Sequence, residues 1–167
     1  MGALPLEEIC LRIGTALLVG AVIGIERHLH DQAAGLRTHT LVALAAALAV
    51  LMTISPGASP TDLFAAQSRV LQGLMTGIGF LGAGVIVRSD RERTIHGLTT
   101  AAAIWLTAAG GALCGAGRLR EVACGLIGVV IVLVIGGPIE DAFQRAFGRR
   151  KEGGTGPGDG KTDQSAR

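Results

Sequence analysis

The sequence predicts an all-α protein, a polytopic membrane helix bundle with five transmembrane helices. Three observations carry that expectation. The 167-residue chain is 49% hydrophobic but only 3% aromatic, and its mean hydropathy is +0.50. Its apolar residues gather in runs of about 18, the length that crosses the hydrocarbon of a bilayer. Its charges sit almost wholly between the runs, whereas an amphipathic soluble helix would carry them at nearly every turn. A soluble all-α bundle is the weaker alternative.

Taken in order, the first span runs from about Ile9 to Ile25, with Arg12 near one end. The second covers about Thr38 to Ile54. The breaker SPGASP (Ser55 to Pro60) separates it from the third, about Val70 to Val87. The fourth covers about Ile95 to Leu113 and the fifth about Val122 to Ile139. Residues 1–139 thus form a transmembrane domain. Residues 140–152 are expected to form a short amphipathic helix on the cytoplasmic membrane surface, with Phe143 and Phe147 on one face. The Gly-rich, polar residues 153–167 are expected to be a disordered tail. MGALPLEEICLRIG is not read as a signal peptide, because its first charges are Glu7 and Glu8.

An odd number of spans puts the two termini on opposite sides. Eleven basic residues fall on one side: Arg27 and Arg37 in the first link, Arg88, Arg91 and Arg93 in the third, and six in the tail. Arg12, Arg69, Arg118 and Arg120 make four on the other. The positive-inside rule then places the N-terminus outside and the C-terminus in the cytoplasm.

GLRTHTLVALAAALAV (Gly35 to Val50) and GLTTAAAIWLTAAG (Gly97 to Gly110) enter apolar segments with the same punctuation. An offset of 62 residues, 97 minus 35, also overlays Gly20-Ala21 on Gly82-Ala83 and Thr38 on Thr100. The unit would be a parallel two-span internal repeat, with chance matching among Ala, Gly and Leu as the alternative. Locally, Thr38 or Thr40 and Thr99 or Thr100 could cap the new helices. The sharper expectation is an anion-attracting collar. Two helix N-termini carry partial positive charge at one membrane edge, with Arg27, Arg37 and Arg88 beside them and Glu26 as the acid that answers Arg37.

Glycines punctuate the spans themselves. Gly20 and Gly24 in span one, and Gly73 and Gly77 in span three, make GxxxG pairs, and Gly79, Gly82 and Gly84 follow. Such residues let membrane helices approach closely. Span three is therefore expected to be surrounded by helices, with a hydrated path as the functional alternative.

The combination GAVIGIERHLHDQAAGLRTHTLVALAAA, GIGFLGAGVIVR and HGLTTAAAIWLTAAGG closely resembles the N-terminal membrane domain of the MgtC/SapB family, over Gly14 to about Ile139. The resemblance implies a bacterial inner-membrane protein. Members are linked to growth in low magnesium and to survival inside host cells, and are thought to modulate other membrane proteins, the ATP synthase among them. Many members carry a C-terminal soluble domain where this chain shows a short tail. By motif, the resemblance marks Glu26, Arg27, Gly35, Arg37, Thr38 and His39 in the first half. In the second half it marks Gly77, Gly79, Gly82, Gly84, Arg88, Gly97, Thr99 and Thr100.

Two further classes are weighed against a regulator. A Mg²⁺ channel or transporter should present acids or a ring of oxygens, and the spans hold no Asp or Glu in their middles; backbone carbonyls around the span-three glycines stay open as an alternative. No motif pairs a nucleophile with a base, so an enzyme is not expected. No metal site or cofactor is expected either: His28, His30, His39 and His96 read as solvated link residues. Cys10, Cys114 and Cys124 read as free thiols, a Cys114–Cys124 disulfide being the alternative. Trp105 marks a packing contact or a partner surface. The expected partners are the lipid bilayer, other integral membrane proteins such as the ATP synthase or a cation transporter, and further copies of the chain; nucleic acid is not among them.

Overall fold

The computed structural model describes residues 4–89 and 94–147. Five helices dominate: α1 (Leu6–Leu29), α2 (Leu36–Leu51), α3 (Pro60–Val85), α4 (Leu98–Gly115) and α5 (Leu119–Phe147). Between α3 and α4 the chain forms a small antiparallel hairpin of β1 (Val87–Ser89) and β2 (Thr94–His96), with Val87 opposite His96. The fold is the expected all-α membrane bundle, with this hairpin added in the link where the sequence showed only charge.

Two compact units are distinguished, residues 1–133 and 134–167. The first holds α1–α4 and the opening half of α5. In the second, α5 continues to Phe147, and Phe143 and Phe147 stack with ring centroids 5.6 Å apart. The residues expected to form a disordered tail lie outside the described residues.

α3 starts ten residues before the expected Val70. Its cap explains why: the Ser59 hydroxyl accepts from the Asp62 N–H at 3.1 Å, Pro60 opens the first turn, and Asp62 faces the positive helix end. The capping signature lay in SPTD, where hydropathy alone sees a loop. Among the described residues three helices are long and apolar enough to cross a membrane, namely α1, α4 and α5. α2 is a shorter apolar helix of 16 residues. The glycines, Gln67, Arg69 and Gln72 dilute the apolarity of α3.

Close contacts fix the helix directions. Gly20 lies against Thr40, and Gly24 against Leu36, so α1 and α2 are antiparallel. Gly111 lies against Ala43, and Gly115 against Ala47, so α2 and α4 run parallel. Gly82 meets Ala101 and Gly97 meets Val85, which makes α3 and α4 antiparallel. Both halves are thus antiparallel helix pairs whose second helices run the same way, as the repeat requires. The contact register between α2 and α4, however, is 68 residues rather than 62.

The core is built from small side chains. Ala16, Ala43, Ala47 and Ala108 are fully buried, while Leu29, Met52, Phe80 and Val132 face outward. Large residues outside and alanines inside reverse the order of a water-soluble domain. The arrangement suits a bilayer, where close backbone packing rather than apolar burial holds helices together. Trp105 is also among the outward-facing side chains, at 45% exposure.

Candidate functional site

The marked residues gather at the end of the bundle where α1 stops and α2 and α4 begin. The last turn of α1 holds Glu26, Arg27, His28 and Leu29, and the Arg27 cation suits the negative end of the helix dipole. A six-residue link, residues 30–35, then turns the chain into α2. Gly35 is the N-cap and makes no side-chain cap bond; its carbonyl accepts the His39 N–H at 3.1 Å.

His39, expected in a solvated link, is wholly buried one turn into α2. Its Nδ1 lies 2.8 Å from Thr107 Oγ1, across the parallel contact with α4. Thr107 gives its own proton to the Ala103 carbonyl at 2.8 Å, so its oxygen accepts and His39 Nδ1 donates. A hydroxyl that donates to its own helix is not a nucleophile facing a base. The pair works as a lock between α2 and α4.

Arg27 is 5% exposed and points inward from α1, near enough to His39 to act on the ring electrostatically. Glu26 flanks it, with Oε2 3.6 Å from Arg27 Nη1 and Oε1 3.2 Å from His30 Nδ1. The expected pairing of Glu26 with Arg37 is therefore corrected. Arg37 is exposed, looks out from the α1–α2 pair, and has no ion partner among the described residues. Adjacent positions on a helix point about 100° apart, so position 37 faces away when position 39 is buried.

Two more expectations change. Thr38 and Thr99 are exposed and cap nothing, and Thr100 donates to Gln32 Oε1 at 3.2 Å instead of capping α4. Gly97 is the N-cap of α4 with φ +88°, a left-handed conformation, and a Cβ there would strike the Val85 carbonyl. Around α3, Gly73, Gly77, Gly79 and Gly84 meet nothing within 4 Å among the described residues, which therefore do not surround the helix; of these α3 glycines only Gly82 packs, against Ala101. The Arg88 backbone belongs to β1, and its side chain lies outside what is described. Cys10, Cys114 and Cys124 are all free, so no Cys114–Cys124 disulfide forms.

Sequence reasoning missed Gln32, Thr107 and Arg12. Gln32 ties the first link to α4, its Nε2 donating to the His30 carbonyl at 2.9 Å while Oε1 accepts from Thr100. Arg12 closes the opposite end, donating to Glu8 Oε1 and to the Gly115 carbonyl, both at 2.8 Å. The bonds of Gln32 to Thr100 and of Arg12 to Gly115 had no local signal, since each depends on which residue of a distant helix stands level with it.

Four side-chain atoms here are buried without a hydrogen-bond partner among the described residues: Glu26 Oε2, Arg27 Nε, His39 Nε2 and Thr40 Oγ1. Such atoms cost about 1–3 kcal/mol each, so their concentration where three helices meet is a feature of the site. Among the described residues no three His, Cys, Asp or Glu side chains converge as a metal cage would need.

The model of the MgtC family matches residues 13–142. Protein SrpB of Synechococcus elongatus is 47% identical over 131 residues, covering 74% of this chain and 70% of that protein. Protein MgtC of Brucella abortus is 37% identical over 148 residues, covering 87% and 58%. Protein MgtC of Salmonella typhimurium is 41% identical over 137 residues, covering 81% and 54%. The chain thus spans little more than half the length of these two MgtC proteins. No solved structure matches.

Proposed function

This chain belongs to the MgtC family, and on that premise we propose that it is a regulator acting inside the membrane. In this reading it alters the activity of other integral membrane proteins through helix–helix contacts and serves magnesium homeostasis, rather than performing catalysis or carrying Mg²⁺ itself. The ATP synthase and cation transporters are the partner classes that the family resemblance suggests. The basic bias supports an inner-membrane orientation with the N-terminus outside and the C-terminus in the cytoplasm. A role in virulence or intracellular survival stays tied to the host organism.

One observation carries this reading. The α3 face bearing Gly73, Gly77 and Gly84 is open, and Gln72 projects from the middle of that helix with no side-chain partner among the described residues. A carboxamide in hydrocarbon seeks a hydrogen-bonding helix, and glycines let that helix approach.

The test is complementation of growth at limiting magnesium in a strain lacking its own family member. Gly77→Leu fills open space, so the protein should insert and melt as the wild type does while complementation is lost. Full complementation by Gly77→Leu and by Gln72→Leu would sink the contact reading. Saturable Mg²⁺ flux in proteoliposomes of the pure protein would replace it with the transport reading.

A further inference from the structure

The outer side of the α1–α2 pair carries a groove that the lock between α2 and α4 does not use. α1 supplies Leu17 and Leu18 as walls, with Gly14 and Ala21 as the floor; these recur at helical spacing on one face. α2 supplies Arg37, Thr40 and Leu41. The groove is shallow and wide open, with about 720 Å³ of space over it, and its floor is low because Gly14 has open space where a side chain would stand.

Its two ends differ chemically. Leu36 stands level with Gly24, so the stretch from Arg37 down to Gly14 spans ten residues of α1, about 15 Å. Arg37 stands at the mouth. Its guanidinium has no ion pair among the described residues, although it carries five donors in a fork suited to phosphate. α2 begins beside it with an uncapped N-terminus, so the first N–H groups, those of Leu36, Arg37 and Thr38, have no helical partner. The Thr40 hydroxyl, one turn further in, is buried without a hydrogen-bond partner. Below that level, leucines and small residues line the groove.

We propose that this groove binds an anionic phospholipid, its phosphate on Arg37 and the start of α2 and one acyl chain lying along Leu17, Leu18 and Leu41 toward Gly14. Charge complementarity selects this occupant. A transmembrane helix of another protein would fill the apolar length but leave the guanidinium and the uncapped N–H groups unanswered at the membrane edge. A zwitterionic lipid would answer them with a phosphate whose charge its own headgroup offsets. The assignment is independent of the regulator reading, since it needs no protein partner.

Native mass spectrometry of the full chain in mild detergent tests it, with phosphatidylglycerol and phosphatidylcholine offered separately. Wild type should retain phosphatidylglycerol preferentially. Arg37→Gln should weaken that retention about tenfold, the scale of a lost charge-assisted bond, and leave phosphatidylcholine unchanged. Gly14→Leu should weaken both lipids by filling the floor; should it fail to fold, Ala21→Leu blocks the same channel. Millimolar inorganic phosphate should not displace the lipid. Equal retention of the two lipids by wild type, unchanged phosphatidylglycerol retention in Arg37→Gln or in a folded floor variant, or displacement by phosphate would overturn the assignment. So would cross-linking from Leu18 to a protein helix in place of lipid.

Discussion

An added Cβ at Gly20 would stand 2.6 Å from Thr40 Cα, and one at Gly24 2.7 Å from Leu36 Cα; at Gly73 or Gly77 it would meet nothing within 4 Å. Both pairs have GxxxG spacing. In α1 the missing side chains let two backbones touch within one chain, and α4 repeats this with Gly111 and Gly115 against α2. In α3 the same omission opens a flat strip on the outside. The spacing therefore encodes readiness for a neighbour but not who the neighbour is. That is decided by which helices the connecting links hold against one another.

Substitutions can break this contrast, and the largest effect is expected in the backbone contacts. Gly111→Leu drives a side chain into the Ala43 backbone and should cost about 3 kcal/mol or more. Gly77→Leu should stay within about 0.5 kcal/mol. Melting temperatures in detergent compare them, and equal losses would dissolve the distinction between the core and α3. Gly97→Ala comes next. It forces a left-handed non-glycine residue, about 1–2 kcal/mol by itself, and strikes the Val85 carbonyl, so a clear drop in Tm is expected; an unchanged Tm would mean that the start of α4 relaxes freely.

A third comparison sets hydroxyl against hydroxyl. Thr107→Val strands the His39 donor in the core and should cost about 1–3 kcal/mol. Thr76→Val in α3 removes only a bond to the helix's own Gln72 carbonyl and should cost less than about 0.5 kcal/mol. Chemical denaturation of the two variants sharpens or erases the contrast. The smallest effect concerns coupling. Glu26→Ala and Arg37→Ala should be additive within about 0.5 kcal/mol, because the two side chains share no partner. Non-additivity between them, without one between Glu26 and His30, would restore the pairing that the structure replaces.

Much of the fold was legible because hydropathy and length act locally. The apolar runs located the helices, and Gly35 and Gly97 marked two helix starts. The α3 boundary slipped because Ser59, Pro60 and Asp62 cap a polar first turn that an apolar-run criterion passes over. The site was less legible. Glu26, Arg27, His39 and Thr100 were marked by motif, yet what each meets depends on how separate segments register against one another; His39 depends on a 68-residue register between α2 and α4 that departs from the 62-residue sequence offset. His39 read as solvated because the link is charged, but it stands on the buried side of the first turn. Arg37, two residues earlier, faces out for the same geometric reason.

The length of α2 has a consequence beyond packing. Sixteen residues rise about 24 Å, against a hydrocarbon thickness of about 30 Å. Where α2 meets lipid, the bilayer must thin or the polar ends of the helix must be drawn inward, at a modest cost for each ångström of mismatch. Thinned lipid is shared with whatever lies alongside. A neighbour with a similarly short span would relieve that mismatch, so elasticity of the bilayer favours such neighbours before any side chain meets another.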